Sequence, residues 1–459
     1  KAPANLKAFG SNTIKEISKK SHIPIKLVDE AALRFAVDVL ATKLPRSFSK
    51  LSEEEVVNGR RGEFPGIDKQ TSSGFRFPGE KVDWIDYEKG QFREKLRERI
   101  DELKRSVEED RFRFDQYHVE TLKTELRLLE KVDKPRSFKV VPLDLFCVQK
   151  EMFGDLLYKS HKNKFKTGVM IGVNPFKEWP ELTKRVTQFG DNTFDGDYRG
   201  YDGGMLAQFQ QALNELICSR ADKTFTSLDL LVMKQVLSIL LYTPTITKNE
   251  TYLTTHSLPS GTFLTADYNS WIGQGYGAYV FYRLHCKKFG YPPTVDFYLT
   301  NVYDAVYGDD KLTGVSDRVK DWFNGPAYET ICEEIGLQFT PADKGEWLYK
   351  TRSIFECTFL KRGFVLHPEL CQIVAPLDLV SITSSLNYVK DEFRNTELTL
   401  AKLNNFQREA FLHHLDYDKL IDHVTRFAEE ANINFFPLTK DYLVRLYQSD
   451  EYSSLLENH

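Results

Sequence analysis

Apolar residues recur at helical spacing in several stretches of the chain and cluster with β-branched and aromatic residues in others, so the pattern predicts mixed helices and short strands. Ala31 to Leu40 has the spacing of a helix. Between Gln91 and Phe114, apolar Phe92, Leu96, Ile100, Leu103 and Val107 repeat amid dense Glu, Lys and Arg, which predicts a solvated helix. The most apolar run, Leu228 to Leu241, is interrupted by Asp229 and Lys234 and predicts a core helix. It falls short of the roughly 18 uncharged apolar residues of a membrane span. β-favouring residues gather at Phe138 to Val141, around Phe194, and on both sides of Gly308. Glycines, prolines and hydroxyls in GRRGEFPGIDKQTSSGFRFPG, Gly59 to Gly79, predict an extended loop able to set basic side chains and backbone N–H groups beside phosphates. After Val365 the pattern turns mostly helical, with Leu400, Leu403, Phe406, Phe411 and Leu415 on one repeat.

A chain of 459 residues suits two or three subdomains sharing a core. With 41% hydrophobic and 28% charged residues, composition is that of a soluble globular protein and leaves the chemistry open. The formal charge of -4 means that any grip on nucleic acid must come from local Lys and Arg clusters lining a channel. It argues against a simple coating protein. The six cysteines form no C-x-x-C pair and no Cys/His zinc spacing, so they read as reduced small hydrophobes. The start Lys1-Ala2-Pro3 has neither an initiator Met nor a signal peptide, as expected of a proteolytically released or trimmed cytoplasmic protein.

Candidate chemistry lies in the acids. In AVYGDDKLTGV, two β-compatible runs flank Gly308-Asp309-Asp310, which suits a tight hairpin presenting adjacent carboxylates at its tip. Alone the tripeptide equally suits an ordinary solvated turn. A partner occurs in FDGDYRGYD, where Asp197 and Asp202 follow a predicted strand. If that strand lies beside the hairpin, carboxylates from two segments converge on a site for hard divalent cations. Two such ions suit phosphoryl transfer, in which one activates an attacking hydroxyl and the other stabilises a leaving oxygen. Lys123 to Lys139, KTELRLLEKVDKPRSFK, supplies a basic segment upstream that taken alone is also compatible with a solvated loop.

The succession GDYRGYD, SLPSGTFLTADYNS, YGDD, TPADK and FLKRGF resembles the palm motifs of picorna-like viral RNA-dependent RNA polymerases. Upstream, TSSG resembles the motif where the template enters, and KTELR with Lys131, Lys134 and Arg136 resembles the basic fingers motif. The resemblance spans Thr71 to Phe364. It implies an α+β fold, a closed right hand with fingers (1–154 and 206–244), palm (155–205 and 245–364) and thumb (365–459), with an antiparallel palm sheet and a helical thumb. Asp197 and Asp309 would be the principal ligands of two Mg2+ or Mn2+ ions, with Asp310 a neighbouring catalytic acid. Lys123, Arg127 and Arg136 would hold the incoming triphosphate. Asp202, Ser260 and Asn269 would surround the ribose, supported by Thr265. Lys344 would protonate the leaving pyrophosphate, which requires a lysine whose pKa approaches working pH. Thr71, Ser72, Ser73, Gly74, Lys131, Lys134, Lys361 and Arg362 would contact RNA. The implied partners are template and primer RNA, ribonucleoside triphosphates, a protein-linked primer and other viral replication proteins, at replication complexes on host cytoplasmic membranes.

Three departures accompany the resemblance. Thr124 stands where the family's K-D-E-L-R form has Asp, and Asp267 occupies a position that is often small or apolar. The portion before TSSG is short, so part of the fingers is expected to be absent or built differently. Two other readings fit parts of the pattern. A reverse transcriptase shares paired acids and a palm, although Asn269 and KTELR favour an RNA polymerase. An inactive RNA-binding scaffold would keep the shape without turnover.

Overall fold

A computed structural model describes residues 2–3, 26–111, 115–127, 129–133, 135–248, 250–386 and 395–449. The elements that frame the site are, in chain order, α1 (Glu30–Lys43), α2 (Glu94–Glu108), β1 (His118–Leu122), β2 (Ser137–Val140), α3 (Leu143–Lys162), β3 (Thr193–Tyr198), α4 (Ser227–Ser238), β4 (Pro244–Thr247), β5 (Glu250–Leu253), α5 (Thr265–Phe289), β6 (Val302–Tyr307), β7 (Asp310–Val315), β8 (Phe339–Pro341), α6 (Asn395–Phe411), α7 (Tyr417–Glu430) and α8 (Lys440–Gln448).

α1 shows how sequence becomes structure. The Asp29 carboxylate caps it by accepting from the Ala32 amide at 2.9 Å, and Ala32, Phe35, Ala36, Val39 and Leu40 bury one stripe. That stripe lies on α5, where Tyr279 Oη accepts the Asp29 amide at 3.0 Å. α5 is buried along most of its length, from Asp267 to Phe281, so it runs through the core. β6, β7, β3 and β8 form an all-antiparallel sheet in that order against it. A second sheet, in the order β5, β4, β1, β2, is antiparallel except for the parallel β4–β1 pair. The largest hydrophobic cluster joins α1, α3, α5 and the central sheet, whereas residues from Leu370 to Tyr447 form a separate cluster joined by Phe176.

Several elements differ in extent from the sequence expectation. The helix expected from Gln91 starts only at Glu94, because Gln91–Phe92 pair with Ile85–Asp86 as a short strand; residues 112–114 lie outside the described set. α4 ends at Ser238, and its Leu228 and Leu231 face outward although Val232, Met233, Val236 and Leu237 are buried. The loop Gly59 to Gly79 contains a two-residue strand pair, Gly59–Arg60 with Phe64–Pro65. The C-terminal part opens with a hairpin, Val365–His367 with Gln372–Val374, before its helices. All six cysteines are free, and no described helix is long and apolar enough to cross a membrane.

Arg362 ties the central region to the C-terminal helices. Its guanidinium forks onto the Glu409 carboxylate at 2.7 and 2.9 Å, donates to the Ala375 carbonyl at 2.7 Å, and lies 5.1 Å from the Phe176 ring centroid. Both charged side chains are nearly buried, at 12% and 11% exposure. Removing one partner from such a pair strands the other charge, at about 3–5 kcal/mol. Glu409→Ala is therefore expected to lower the urea unfolding midpoint sharply, and Arg362→Leu/Glu409→Leu to lower it less. Equal losses in the single and double variants would show that the pair is not what joins these parts.

Candidate active site

β6 and β7 are paired without a break from Val302↔Val315 to Tyr307↔Asp310, leaving Gly308 and Asp309 as the turn. Gly308 takes φ +63°, which a residue with a Cβ adopts only under strain, and its amide donates to Ser270 Oγ on α5 at 2.9 Å. On the other edge of β7, Asp310 lies directly opposite Asp197 of β3, which pairs in turn with Thr340 of β8. The expected convergence of Asp197 with the Gly-Asp-Asp hairpin is therefore the register of three strands, with Asp309 in the turn itself and not on a strand.

Neighbouring acids hold back the ionisation of Asp309 and Asp310, whereas a hydrogen bond from Asp309 favours the Asp197 carboxylate. Burial first, and then the Asp197 charge, push the Asp309 carboxyl up to about 6; Asp309 reaches solvent at the hairpin tip, but the cleft walls displace much of its water. Asp310 is pushed up to about 7 by burial and by Asp197, Asp309 and Asp195, against the Leu360 amide that donates to its Oδ2 at 2.7 Å. Burial also raises Asp197, opposed by Lys344, whose Nζ stands 3.6 Å from Asp197 Oδ2. Such a set of oxygen donors, held together against repulsion, fits hard divalent cations. Among the described residues no three acidic, His or Cys side chains are already closed into a coordination cluster. The donors are adjacent, and one Asp310 oxygen is occupied by the Leu360 amide.

Beside the acids, Asp202 accepts from Ser260 Oγ and, at 2.8 Å, from Asn269 Nδ2. The structure thus brings together Asp202, Ser260 and Asn269 from three separate segments. Asn269 Oδ1 is buried with no donor. Thr265 accepts the Gly261 amide at 3.1 Å and donates to the Thr262 carbonyl at 2.8 Å, which braces the Ser-Gly loop. The Lys139 amide of β2 also donates to the Ser260 carbonyl at 2.7 Å, joining this loop to the outer sheet.

Within KTELR and beyond, Glu125 accepts from Arg136 through both carboxylate oxygens, with the Nε contact at 2.7 Å, and Arg127 reaches it at 3.4 Å. Arg136 is close enough to the hairpin for its charge to favour the Asp309 carboxylate. The Lys123 amide donates to the Arg136 carbonyl at 2.7 Å, Lys131 is exposed, and Lys134 lies outside the described residues. Thr71 and Ser72 share the wall of a 470 Å³ cavity with Lys81, Lys139, Phe146 and Gly261. Ser73, in contrast, is buried, and Gly74 packs against the Val141 carbonyl, so only Thr71 and Ser72 of TSSG face outward. Lys361 is exposed at a turn, whereas Arg362 is committed to Glu409 and does not present its guanidinium to RNA.

Sequence reasoning missed two side chains. Asp195, two residues before Asp197 and fully buried, accepts from Arg352 at 2.7 Å, the Thr358 amide at 2.8 Å and Tyr349 Oη at 3.1 Å. It fastens the segment that leads into FLKRGF beneath the acids. The alternation in FDGDY, which puts Asp195 and Asp197 on one face, was the available signal. Asp267 finds its partner in His161 of α3 at 2.8 Å, a pairing over 106 positions that no local pattern announces.

Comparisons with known proteins bear on the family and the fold. The family model for viral RNA-dependent RNA polymerase matches residues 12–429. The replicase polyprotein of Cricket paralysis virus is 29% identical over 400 residues, 81% of this chain and 22% of that polyprotein. The RNA1 polyprotein of Tomato ringspot virus is 25% identical over 336 residues, 71% of this chain and 14% of that polyprotein. The chain thus spans under a quarter of the length of either relative. Among solved structures, the Sicinivirus 3Dpol RNA dependent RNA polymerase shares the fold with a TM-score of 0.80 at 18% identity, covering 97% of this chain and 91% of that one.

The raised carboxyls have a consequence for stability. An acid with a raised folded pKa holds its proton more tightly folded than unfolded, so stability falls as pH climbs from the ordinary range near 4 through about 7. In chelated protein, the thermal midpoint is expected to drop across about pH 4 to 7. Asp309→Asn removes one charge and is expected to flatten that drop and raise the midpoint at the alkaline end. A lower midpoint for Asp309→Asn there would contradict the repulsion.

Proposed function

The chain belongs to the viral RNA-dependent RNA polymerase family, and from that premise we propose that it joins ribonucleotides on an RNA template to copy a positive-strand viral genome. The observation that carries the reading is the register that sets Asp310 opposite Asp197 with Asp309 at the adjoining turn. Members of the family use divalent metal. Asp197 and Asp309 would hold two Mg2+ or Mn2+ ions, with Asp310 beside them. Bound there, the ions supply positive charge to an attacking hydroxyl and to the phosphate oxygens.

The remaining work falls to side chains. Arg136, Arg127 and Lys123 orient the triphosphate, whose oxygens compete with Glu125 for the Arg136 fork. Asn269 Oδ1, an acceptor without a donor, takes the proton of a ribose 2′-hydroxyl. A deoxyribose leaves it unpaired, at about 1–3 kcal/mol or roughly 5- to 150-fold in discrimination. Lys344, beside Asp197, donates a proton to departing pyrophosphate. Thr71, Ser72, Lys131, Lys134 and Lys361 track RNA phosphates.

We assign the fingers to 1–154 and 206–244, the palm to 155–205 and 245–364, and the thumb to 365–459; the separate core of the C-terminal helices supports the last division. Relatives encoded as polyproteins support action beside other viral replication proteins. We further propose a protein-linked primer and membrane-bound complexes in the host cytoplasm as its setting.

Extension of a labelled RNA primer on an RNA template tests the reading. Ribonucleotide addition is expected with Mg2+ or Mn2+, and Asp309→Asn should abolish it. In the same assay, Asp202→Ala is expected to erode the preference for ribose while RNA binding persists, and Lys344→Leu to slow single-turnover addition at unchanged template affinity. Folded, RNA-binding protein that extends no primer would overturn the proposal. Unchanged sugar choice would remove Asp202 from the ribose network, and an unchanged single-turnover rate would remove Lys344 as proton donor.

A further inference from the structure

Directly beneath the Gly-Asp-Asp turn lies an ion pair that takes no part in the chemistry described above. Lys311 of β7 places its ammonium 2.7 Å from Asp304 Oδ2 of β6, and both side chains are completely buried. Tyr298 Oη donates to the same carboxylate oxygen at 2.9 Å, and Thr313 Oγ1 donates to the other at 2.7 Å. A second cation, Lys43 of α1, is bonded to Gln274 of α5, whose amide donates to the Asp304 carbonyl at 2.7 Å. Burial alone would push the Asp304 carboxyl up, yet it lies below its ordinary value because Lys311 and Lys43 stand beside it. α5 is fitted to the pair: a Cβ on Gly277 would stand 2.2 Å from Asp304 Oδ2 and 3.0 Å from Lys311 Nζ.

A buried ion pair is weak evidence of stability, since a packed apolar pair of similar volume is often as stable or more so. What this pair adds is direction. The two-residue turn at Gly308 and Asp309 favours one register, and in most antiparallel hairpins burial adds a second control, because a slip of one residue would turn the apolar face to water. That control is missing here, because residues 302–306 of β6 and 311–315 of β7 are buried on both faces. Asp304 lies opposite Thr313 and diagonal to Lys311, which itself faces Val306. A slip of one residue by β7 would send Lys311 to the other face, strand both charges, and carry Asp310 and the adjoining Asp309 out of register with Asp197.

We propose that Asp304 and Lys311 form a buried charge clamp that fixes the register of the catalytic hairpin, making both of them positioning residues for nucleotide addition. Lys43 and Gln274 extend the clamp to α1 and to α5, and α5 also carries Asn269 and the Ser270 hydroxyl that holds Gly308. The proposal rests on the polymerase reading above.

The test compares the wild-type chain with Asp304→Asn/Lys311→Met, which removes both charges while keeping side-chain volume and an acceptor for one of the two hydroxyls, the other turning to accept from the new amide. RNA binding is expected to stay close to wild type and melting to fall only modestly, since buried Lys43 loses the Asp304 charge beside it. The Mg2+ concentration for half-maximal single-turnover addition should rise about tenfold or more, and the saturating rate should fall, because displacement of a reacting group by about 1 Å can cost up to 100-fold. The KM for nucleotide should move much less, a split that general loss of fold would not give. Gly277→Ala serves as a second variant should the first not fold, since it keeps both charges but forces them apart, and it should shift the Mg2+ curve in the same direction. A folded variant whose Mg2+ curve and rate superimpose on wild type overturns the clamp. Wild-type protein that extends no primer overturns the polymerase reading instead.

Discussion

Like charges must be held together in this protein, and most of its architecture can be understood from that constraint. Asp197, Asp309 and Asp310 stand within mutual electrostatic reach at the ends of the central strands of a buried sheet, where burial and then the neighbouring acids make Asp309 and Asp310 harder to ionise. Left to a flexible loop, such a cluster would spread apart. Here the backbone prevents it, because Asp310 and Asp197 are cross-strand partners and Asp309 is one residue from that pairing. Around the cluster the compensating cations are few and specific: Lys344 at Asp197, and Arg136, which leans across from the basic segment toward Asp309.

The same arrangement explains why distant segments are tied so closely to the central sheet. Asp195 and Asp310 fasten the chain from Arg352 to Leu360 from beneath, and Arg362 then hands that segment to the C-terminal helices through Glu409. The Ser-Gly loop is bonded on one side to Asp202 and on the other to the Lys139 amide of the outer sheet. A movement of the outer sheet would therefore reach Asp202 and Asn269 through Ser260. Asn269 Oδ1 is a buried polar atom left without a donor beside Asp202.

Much of this was legible in the sequence where function and local pattern coincide. Gly308-Asp309-Asp310 between two β-compatible runs announces a hairpin, and the order of motifs identifies its partner strand and the family that the comparisons then supplied. Legibility failed where long-range pairing decides. His161 with Asp267, and Arg362 with Glu409, join residues 106 and 47 positions apart, so a basic residue in a suggestive motif was read as an RNA contact when its charge is spent on a neighbour. Ser73 was misread for a related reason: a hydroxyl in a Gly-Ser loop looks exposed until the loop folds back over the start of α3. Lys311 gave no signal at all, because a lysine beside two aspartates looks solvated and only the fold reveals it to be buried.

On the function proposed above, acids from β3 and from the hairpin make one divalent-cation site. The most direct measurement is Mn2+ binding followed by electron paramagnetic resonance, with protein, RNA template, a 3′-deoxy primer and the next nucleotide assembled together. Wild-type complex is predicted to bind Mn2+ beyond what the RNA and nucleotide take up alone, and Asp197→Asn and Asp309→Asn each to lose that increment. Undiminished Mn2+ binding in both variants would contradict the shared site.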